Sequence, residues 1–329
     1  MVQPRKMLIL TSKTGGGHVS LAEALRDRLQ SDYTICREDL LPGFIPRSYE
    51  IMARRASWLW SFAFHLTDTP SMALLGHLTM IPLIAPRLTA LLRQFQPDLV
   101  LSVHPLLTYA AKRVLDQHAP GVPFAMLFSD PIHVHCACFT ELQAEAVFAP
   151  TQEIYAQALA RGFDPARLLY VGWPVRRQFT SILALPREQV IIAAGTNRAL
   201  YRRCQGVKHL YAFPFTSEIA PFMAAAHVTM GRCSPNILFE SLALGKPLIV
   251  TSYLPGQEEN NMRFIERHGL GWSAIEECQL RKLVATLVTE FPTDRSMLNV
   301  MSTKVQRYQR MNAAANESIV PLIRALIDA

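Results

Sequence analysis

The 329-residue chain has no uninterrupted apolar run of membrane-spanning length, no G-x-G-x-x-G turn, no P-loop and no second Cys/His pair to complete a metal cage. Each absence narrows the field. The six cysteines, Cys36, Cys136, Cys138, Cys204, Cys233 and Cys278, show no framework spacing, which excludes a disulfide scaffold and leaves a reducing, cytoplasmic setting as the expectation. Met1 to Lys6 is charged, but only four apolar residues follow before Thr11, too few for a secretory signal. Pro82, Pro86 and Arg87 interrupt the sparsely charged stretch that begins at Met72, so no membrane span is expected there. His133-Val134-His135-Cys136-Ala137-Cys138 stands alone on one short segment, and no metal is expected on it; Asp130 and His135 are instead candidates for a cleft. No nucleic-acid motif occurs, so nucleic acid is not an expected partner. Acidic residues are the minority, 26 against 33 Lys+Arg, and the net +7 favours an anionic partner such as a phospholipid surface, a nucleotide or, but for the missing motif, nucleic acid.

What is present is alternation. Met7 to Leu10 reads as a buried strand, Gly15-Gly16-Gly17-His18 as a glycine turn, and Leu21 to Leu29 as an amphipathic helix. Glycines there let backbone approach a ligand, and the helix start turns N–H groups and its positive dipole end toward it. His18 is the first titratable group such a ligand would meet. Asp98 to Val103, a helix over Leu106 to Gln117, and Phe124 to Phe128 continue the pattern, which predicts an α/β fold with a parallel sheet. Ligands in such sheets gather beyond the carboxyl ends of the strands, here Gly15 to His18, His104-Pro105 and Ser129-Asp130-Pro131. The alternation resumes from Gln189 to Ala194 and runs through Pro247 to Thr251, with a Gly/Pro break at Val171-Gly172-Trp173-Pro174 between two halves. Between Phe44 and Leu92 the pattern lapses. Trp58 and Trp60 beside Arg54 and Arg55 suit a lipid headgroup boundary, the alternative being ordinary helix packing with snorkelling arginines.

In the second half, Ser234-Pro235 reads as an N-cap and first-turn proline that leave N–H groups open to a phosphate. Glu240, within two turns, could accept from ribose hydroxyls. Pro255-Gly256-Gln257-Glu258-Glu259-Asn260-Asn261 gathers amides and carboxylates suited to sugar hydroxyls.

The segments TSKTGGGHVSLAEAL, SVHPLLTYAAKRV, Asp130 with His135, VGWPVRRQF, the stretch around Pro235 and Glu240, and PGQEENN occur in the order seen in monogalactosyldiacylglycerol synthases and processive diacylglycerol glucosyltransferases, and most of the chain resembles that family. The resemblance implies a GT-B fold of two facing Rossmann-like domains, an N-terminal acceptor and membrane-binding domain over 1–172 and a nucleotide-sugar domain over 173–329, the last helix returning to the first. It implies an inverting transfer of a hexose from a UDP-sugar to a lipid such as diacylglycerol, peripheral on an anionic membrane, with no cofactor and no essential metal; no Asp-x-Asp pair exists to hold one. By the same resemblance, His18 is the general base, with Asp130 beside it as a catalytic candidate. Phe213 to Phe215 would hold the uracil through backbone, Glu240 the ribose, and Gln257, Glu258 and Asn261 the donor sugar, while Gly15, Gly16, Gly17, Ser234 and Pro235 would line the donor site. The chain departs from the pattern at Ser234 and Asn236, Cys138 and His227. Gly195 follows Pro174 by only 21 positions, where a βαβ unit needs about 30 or more. A C-terminal sheet short of one strand and of its diphosphate loop is therefore expected, and a catalytically impaired GT-B homologue that binds lipid or nucleotide is the alternative function.

Overall fold

The computed structural model describes residues 5–14, 17–180, 190–290 and 296–328. Up to Tyr170 the chain runs β1 (Arg5–Thr11), α1 (Gly17–Leu29), β2 (Tyr33–Asp39), α2 (Phe44–Arg55), α3 (Ser57–Thr67), α4 (Pro70–Phe95), β3 (Leu99–Ser102), α5 (Pro105–His118), β4 (Phe124–Leu127), β5 (Ala146–Ala149), α6 (Gln152–Ala160) and β6 (Leu168–Tyr170). The six strands are parallel in the order β2-β1-β3-β4-β5-β6. β1 is apolar on both faces because both are covered: Met7 and Ile9 enter one core, Leu8 and Leu10 the other. The order reverses between β1 and β3, and such a switch point opens a crevice at the strands' carboxyl ends.

The remainder comprises β7 (Val190–Gly195), α7 (Arg198–Cys204), β8 (Leu210–Pro214), α8 (Ala220–Ala225), β9 (Thr229–Arg232), α9 (Pro235–Ala243), β10 (Leu248–Ser252), α10 (Glu259–His268), β11 (Gly271–Ser273), α11 (Glu277–Glu290) and α12 (Ser296–Asp328). Among the described residues these strands form two parallel sheets, β7-β8 and β11-β10-β9. A doubly wound sheet of order 3-2-1-4-5-6 has its first strand between two such groups. Such a split is what a sheet short of one strand would show, but residues 181–189, within the stretch where that strand is expected to be missing, lie outside the described residues. Ile191 and Ile192 are only half-buried and Val190 is 48% exposed, where a central strand would be covered on both faces.

One expectation fails. α4 runs unbroken through Pro82 and Pro86. Both prolines lie on its outer face, four residues apart, so the carbonyls they free at Leu78 and Pro82 belong to that face as well. The inner face, Ala73, His77, Met80, Ile84, Leu88 and Leu92, is buried. Length and composition alone would let this helix cross a membrane, yet it forms one wall of the first core.

The chain passes between its two halves at Gly172-Trp173. Trp173 N–H donates to Asn312 Oδ1 at 2.7 Å, and its carbonyl accepts from Asn312 Nδ2 at 3.0 Å and Asn316 Nδ2 at 2.7 Å, all from α12. The Trp173 ring lies parallel to that of Phe239 on α9, centroids 4.9 Å apart. Stacking adds about 1 kcal/mol beyond burial of the two rings, so its larger effect is to fix α9 against the crossing. α12 continues to the edge of the first sheet, where Arg324 pairs with Asp32 and Arg5 with Asp328.

Gly172 has φ +70, and a Cβ there would fall 2.6 Å from Ala315 Cβ on α12. Gly172→Ala is expected to destabilise the fold by about 3 kcal/mol through backbone strain and steric overlap. Urea unfolding would measure it, and an unchanged midpoint would show that α12 does not clamp this crossing.

Candidate functional site

The crevice is built from strand ends outward. β1 stops at Thr11, and the turn after it carries Ser12, Thr14 and His18; Gly15 and Gly16 lie outside the described residues, while Gly17 opens α1. β3 leads to Val103 and His104, β4 to Ser129 and Asp130. Because β3 sits between β1 and β4, the turn of His18 and the loop of Asp130 start about 10 Å apart, on either side of His104.

His18 Nδ1 lies 3.0 Å from the Val103 carbonyl, which makes Nδ1 the protonated nitrogen and leaves Nε2 as the basic one. Desolvation, partly offset by that carbonyl, lowers the His18 pKa to about 4. The imidazole is therefore neutral at pH 7, and the dominant cause is burial rather than the helix N-terminus. The His104 ring stands 4.3 Å from His18, with Nε2 2.7 Å from Thr14 Oγ1, and burial holds it well below the usual imidazole range. Asp130 is buried, and desolvation raises its pKa to about 6 against the hydrogen bond it accepts from Gln257 Nε2 at 3.4 Å.

The opposite wall comes from the second half. Glu240, on α9, takes Arg176 Nε at 3.0 Å and Nη2 at 2.7 Å on one carboxylate oxygen, which also accepts from Ser20 Oγ of α1 at 3.4 Å. Both partners of this ion pair are largely buried. Burial pushes the Glu240 carboxyl up while Arg176 pulls it down, and the Ser20 contact joins α9 to the first half of the chain. Ser234 is the N-cap of α9, with Pro235 in the first turn, and its hydroxyl makes no capping bond.

The loop after β10 accounts for three expected sugar ligands, and their situations differ. Gln257 faces Asp130. Glu258 is turned inward, accepting from Leu254 N–H at 2.7 Å and pairing with Arg232 Nε at 3.3 Å. Asn261 donates to the Cys233 carbonyl at 3.1 Å. Both are buried, so in this conformation their polar atoms build the loop and hold it to the turn before α9. Phe213 lies within β8, its ring stacked on Phe222 at 4.1 Å, and the exposed Phe215 follows it. Beyond it, the Ser217 carbonyl accepts from Gln178 at 3.3 Å, tying this loop to the segment after Arg176.

His135 does not join the histidines of the crevice. It caps the short 3-10 helix Cys136–Phe139 through Ala137 N–H and packs edge-on to Phe64 at 5.0 Å. His133 lies 3.5 Å from Asp68, which also accepts from Cys136 N–H at 2.7 Å. His104, Thr14, Ser20 and Arg176 are crevice residues that sequence reasoning did not single out as a site. His104 had a signal, its place at a strand end; Ser20 and Arg176 lie in segments that carry the family resemblance, but nothing marked their contact with Glu240, 220 and 64 residues away.

Eight buried side-chain atoms lack a hydrogen-bond partner among the described residues, and four of them, Thr11 Oγ1, His104 Nδ1, Ser129 Oγ and Gln257 Oε1, belong to this crevice. Orphaned polar atoms gathered at one switch point mark a place built for a polar guest.

The outer face of α2 to α4 is different in kind. Phe44, Ile51, Trp58, Phe62, Leu66 and Leu75 are exposed by between 54% and 73%, a concentration of uncovered apolar side chains on three successive helices. Trp60 is not part of it: its ring turns inward to Tyr49 in an edge contact at 4.8 Å.

Comparison with known proteins agrees with this geometry. Residues 18–175 match the family model for monogalactosyldiacylglycerol (MGDG) synthase, and 176–317 match the glycosyltransferase family 28 C-terminal domain. The probable chloroplastic monogalactosyldiacylglycerol synthase of Nicotiana tabacum is 24% identical over 375 aligned positions, covering 94% of this chain and 69% of its own. Monogalactosyldiacylglycerol synthase 3 of Arabidopsis thaliana is 25% identical over 94% of this chain and 79% of its own. Since 94% of 329 residues is about 309, some 65 of those 375 positions have no counterpart in this chain. Among solved structures, a UDP-glucosyltransferase from Polygonum tinctorium superposes with TM-score 0.64 at 13% identity over all of both chains. MurG of Acinetobacter baumannii superposes with TM-score 0.59 at 13% identity over 98% of this chain and 100% of its own. The fold is GT-B, and the chain belongs to the monogalactosyldiacylglycerol synthase family of glycosyltransferases.

Proposed function

We propose that this enzyme transfers a hexose from a UDP-sugar to diacylglycerol or a similar lipid alcohol at a membrane surface, with inversion at the anomeric carbon. The observation that carries the reading is the crevice itself: a neutral imidazole at the start of α1, two residues before Ser20, whose hydroxyl reaches the buried Glu240 carboxylate of α9. Residues 1–172 would serve the acceptor and membrane, and 173–329 the nucleotide sugar.

His18 Nε2 would take the proton from the lipid hydroxyl as its oxygen attacks the anomeric carbon and the bond to UDP breaks. Its low pKa keeps it in the base form across the physiological range, and the negative charge of a bound diphosphate would raise that pKa toward neutrality. Asp130, ionised above about pH 6, would accept from a sugar or lipid hydroxyl beside it. Glu240 would bind the ribose, which requires Arg176 to release it; the guanidinium then stands next to the diphosphate. With the usual glycine loop missing, that diphosphate would rest on the turn at Ser234 and Pro235 and on Gly15, Gly16 and Gly17, and the uracil on the backbone from Phe213 to Phe215. Gln257 would meet the donor sugar first, with Glu258 and Asn261 shaping the loop behind it. No metal and no cofactor enter this reading. The exposed apolar face of α2 to α4, with Arg47 and Arg55 nearby, would rest on anionic lipid from the cytoplasmic side; the Arg54 side chain lies outside the described residues.

Incubating purified protein with UDP-galactose or UDP-glucose and vesicles containing diacylglycerol tests the activity directly. Glycolipid product is expected, and UDP-sugar binding without product would favour the impaired homologue. His18→Ala should lower turnover by about 10²-fold or more while donor affinity is nearly kept. In the parent enzyme kcat/KM should fall on the acid side as Asp130 takes a proton near pH 6. In Asp130→Asn the residual activity should keep its acid limb only near pH 4, where His18 protonates. A limb still near pH 6 in that variant would remove Asp130 from the chemistry.

For the membrane face, Trp58→Ser with Phe62→Ser should cut sedimentation with anionic vesicles several-fold and leave UDP affinity in solution unchanged. Undiminished sedimentation would show that another surface anchors the protein.

A further inference from the structure

α3 faces two ways at once. Trp58, Phe62 and Leu66, spaced at four residues, line its exposed side, while Phe64 is the one buried residue of the eleven in the helix. Phe64 points at the second half of the chain. Gly256, in the loop that carries Gln257 and Glu258, has φ +83, and a Cβ on it would lie 3.2 Å from Phe64 Cδ1 and 3.2 Å from His65 Cε1. Only a residue without a side chain lets the loop come this close in this conformation. The other flank of Phe64 rests on His135, in the segment that follows Asp130, and Thr67 Oγ1 at the end of α3 lies 3.2 Å from His135 Nε2. Tyr49 of α2, packed on Trp60, lies within electrostatic reach of Arg232, Glu258 and Asp130.

Phe64 is the one buried side chain of a helix whose outer face is apolar, so a shift of α3 taken up on lipid would be carried inward through that ring. We propose that Phe64 is a positioning residue through which docking of α3 on a lipid surface orders the loop over 253–258 and thereby tightens the grip on the donor sugar. The inference rests on the membrane and donor readings above. It gives Phe64 and Gly256 a paired role: the ring presses and the glycine receives. Catalysis would then be favoured where acceptor lipid is at hand, and loss of the UDP-sugar to water would be restrained in its absence.

Hydrogen exchange on the unmodified protein tests this, with and without vesicles of phosphatidylcholine, phosphatidylglycerol and diacylglycerol. Amide exchange is expected to slow in α3 and, together with it, in the peptide spanning 253–261. UDP-galactose or UDP-glucose affinity, measured by calorimetry, should tighten by about fivefold or more when vesicles are present. Phe64→Ala should abolish that tightening while sedimentation with vesicles is kept, and Phe64→Leu, which retains apolar bulk, should restore most of it. Slowed exchange in α3 with an unaltered loop, or vesicle binding with unaltered donor affinity, overturns the coupling and leaves the membrane reading intact. Failure of the parent protein to bind vesicles removes the membrane reading and the coupling with it.

Discussion

The backbone of Trp173 is gripped by two asparagines of a single helix, and the crevice depends on that grip. Asn312 both accepts from and donates to the residue, Asn316 donates to it again, and both asparagines are buried. Buried amides left without partners would cost about 1–3 kcal/mol each, so the arrangement is strongly specified. From Trp173 the order spreads through its ring to Phe239 and α9, through Val175, whose carbonyl accepts from Arg28 of α1 at 2.5 Å, and through Arg176 to Glu240. The apolar core follows the same path, running without a break from Met7 and Leu25 to Trp173, Phe239 and Leu248. The two walls of the crevice are thus registered by covalent neighbours of one tryptophan.

That registration matters because the crevice is a place of uncompensated polarity. An imidazole pair held neutral by desolvation, a carboxyl at Asp130 raised to about 6 and a glutamate balanced between burial and a guanidinium are all poised for a change in charge. A nucleotide sugar would bring hydroxyls for the orphaned polar atoms and an anion able to draw Arg176 from Glu240. In the proposed reading the split of the second sheet among the described residues would raise the demand on these groups: a diphosphate offered fewer backbone N–H groups would be recognised more by side chains.

Much of this was legible in the sequence, and the part that was not has a common cause. Met7 to Leu10 and Phe124 to Phe128 announce themselves as strands because they are apolar on both faces, and the split of the second sheet among the described residues goes with a shortage of residues between Pro174 and Gly195. His18 is marked by its glycines and Asp130 by its strand end. Pro82 and Pro86 misled because proline is costly where its freed carbonyl is buried, and both belong to the outer face of α4. Trp58 and Trp60 look alike in sequence, yet two residues on a helix are about 200° apart, so one faces out and the other in. Glu258 and Asn261 sit in a motif suited to sugars, but their partners, Leu254, Arg232 and the Cys233 carbonyl, are fixed by how the loop closes. The Arg176–Glu240–Ser20 junction joins three distant stretches, and no local pattern carries it.

A crystal structure of the complex with UDP tests the central claim most directly. The account predicts the ribose hydroxyls within about 3 Å of the Glu240 carboxylate, Arg176 turned from Glu240 to the diphosphate, and the phosphates against the turn at Ser234 and Pro235. UDP seated away from this crevice, with the Arg176–Glu240 pair intact, would contradict it.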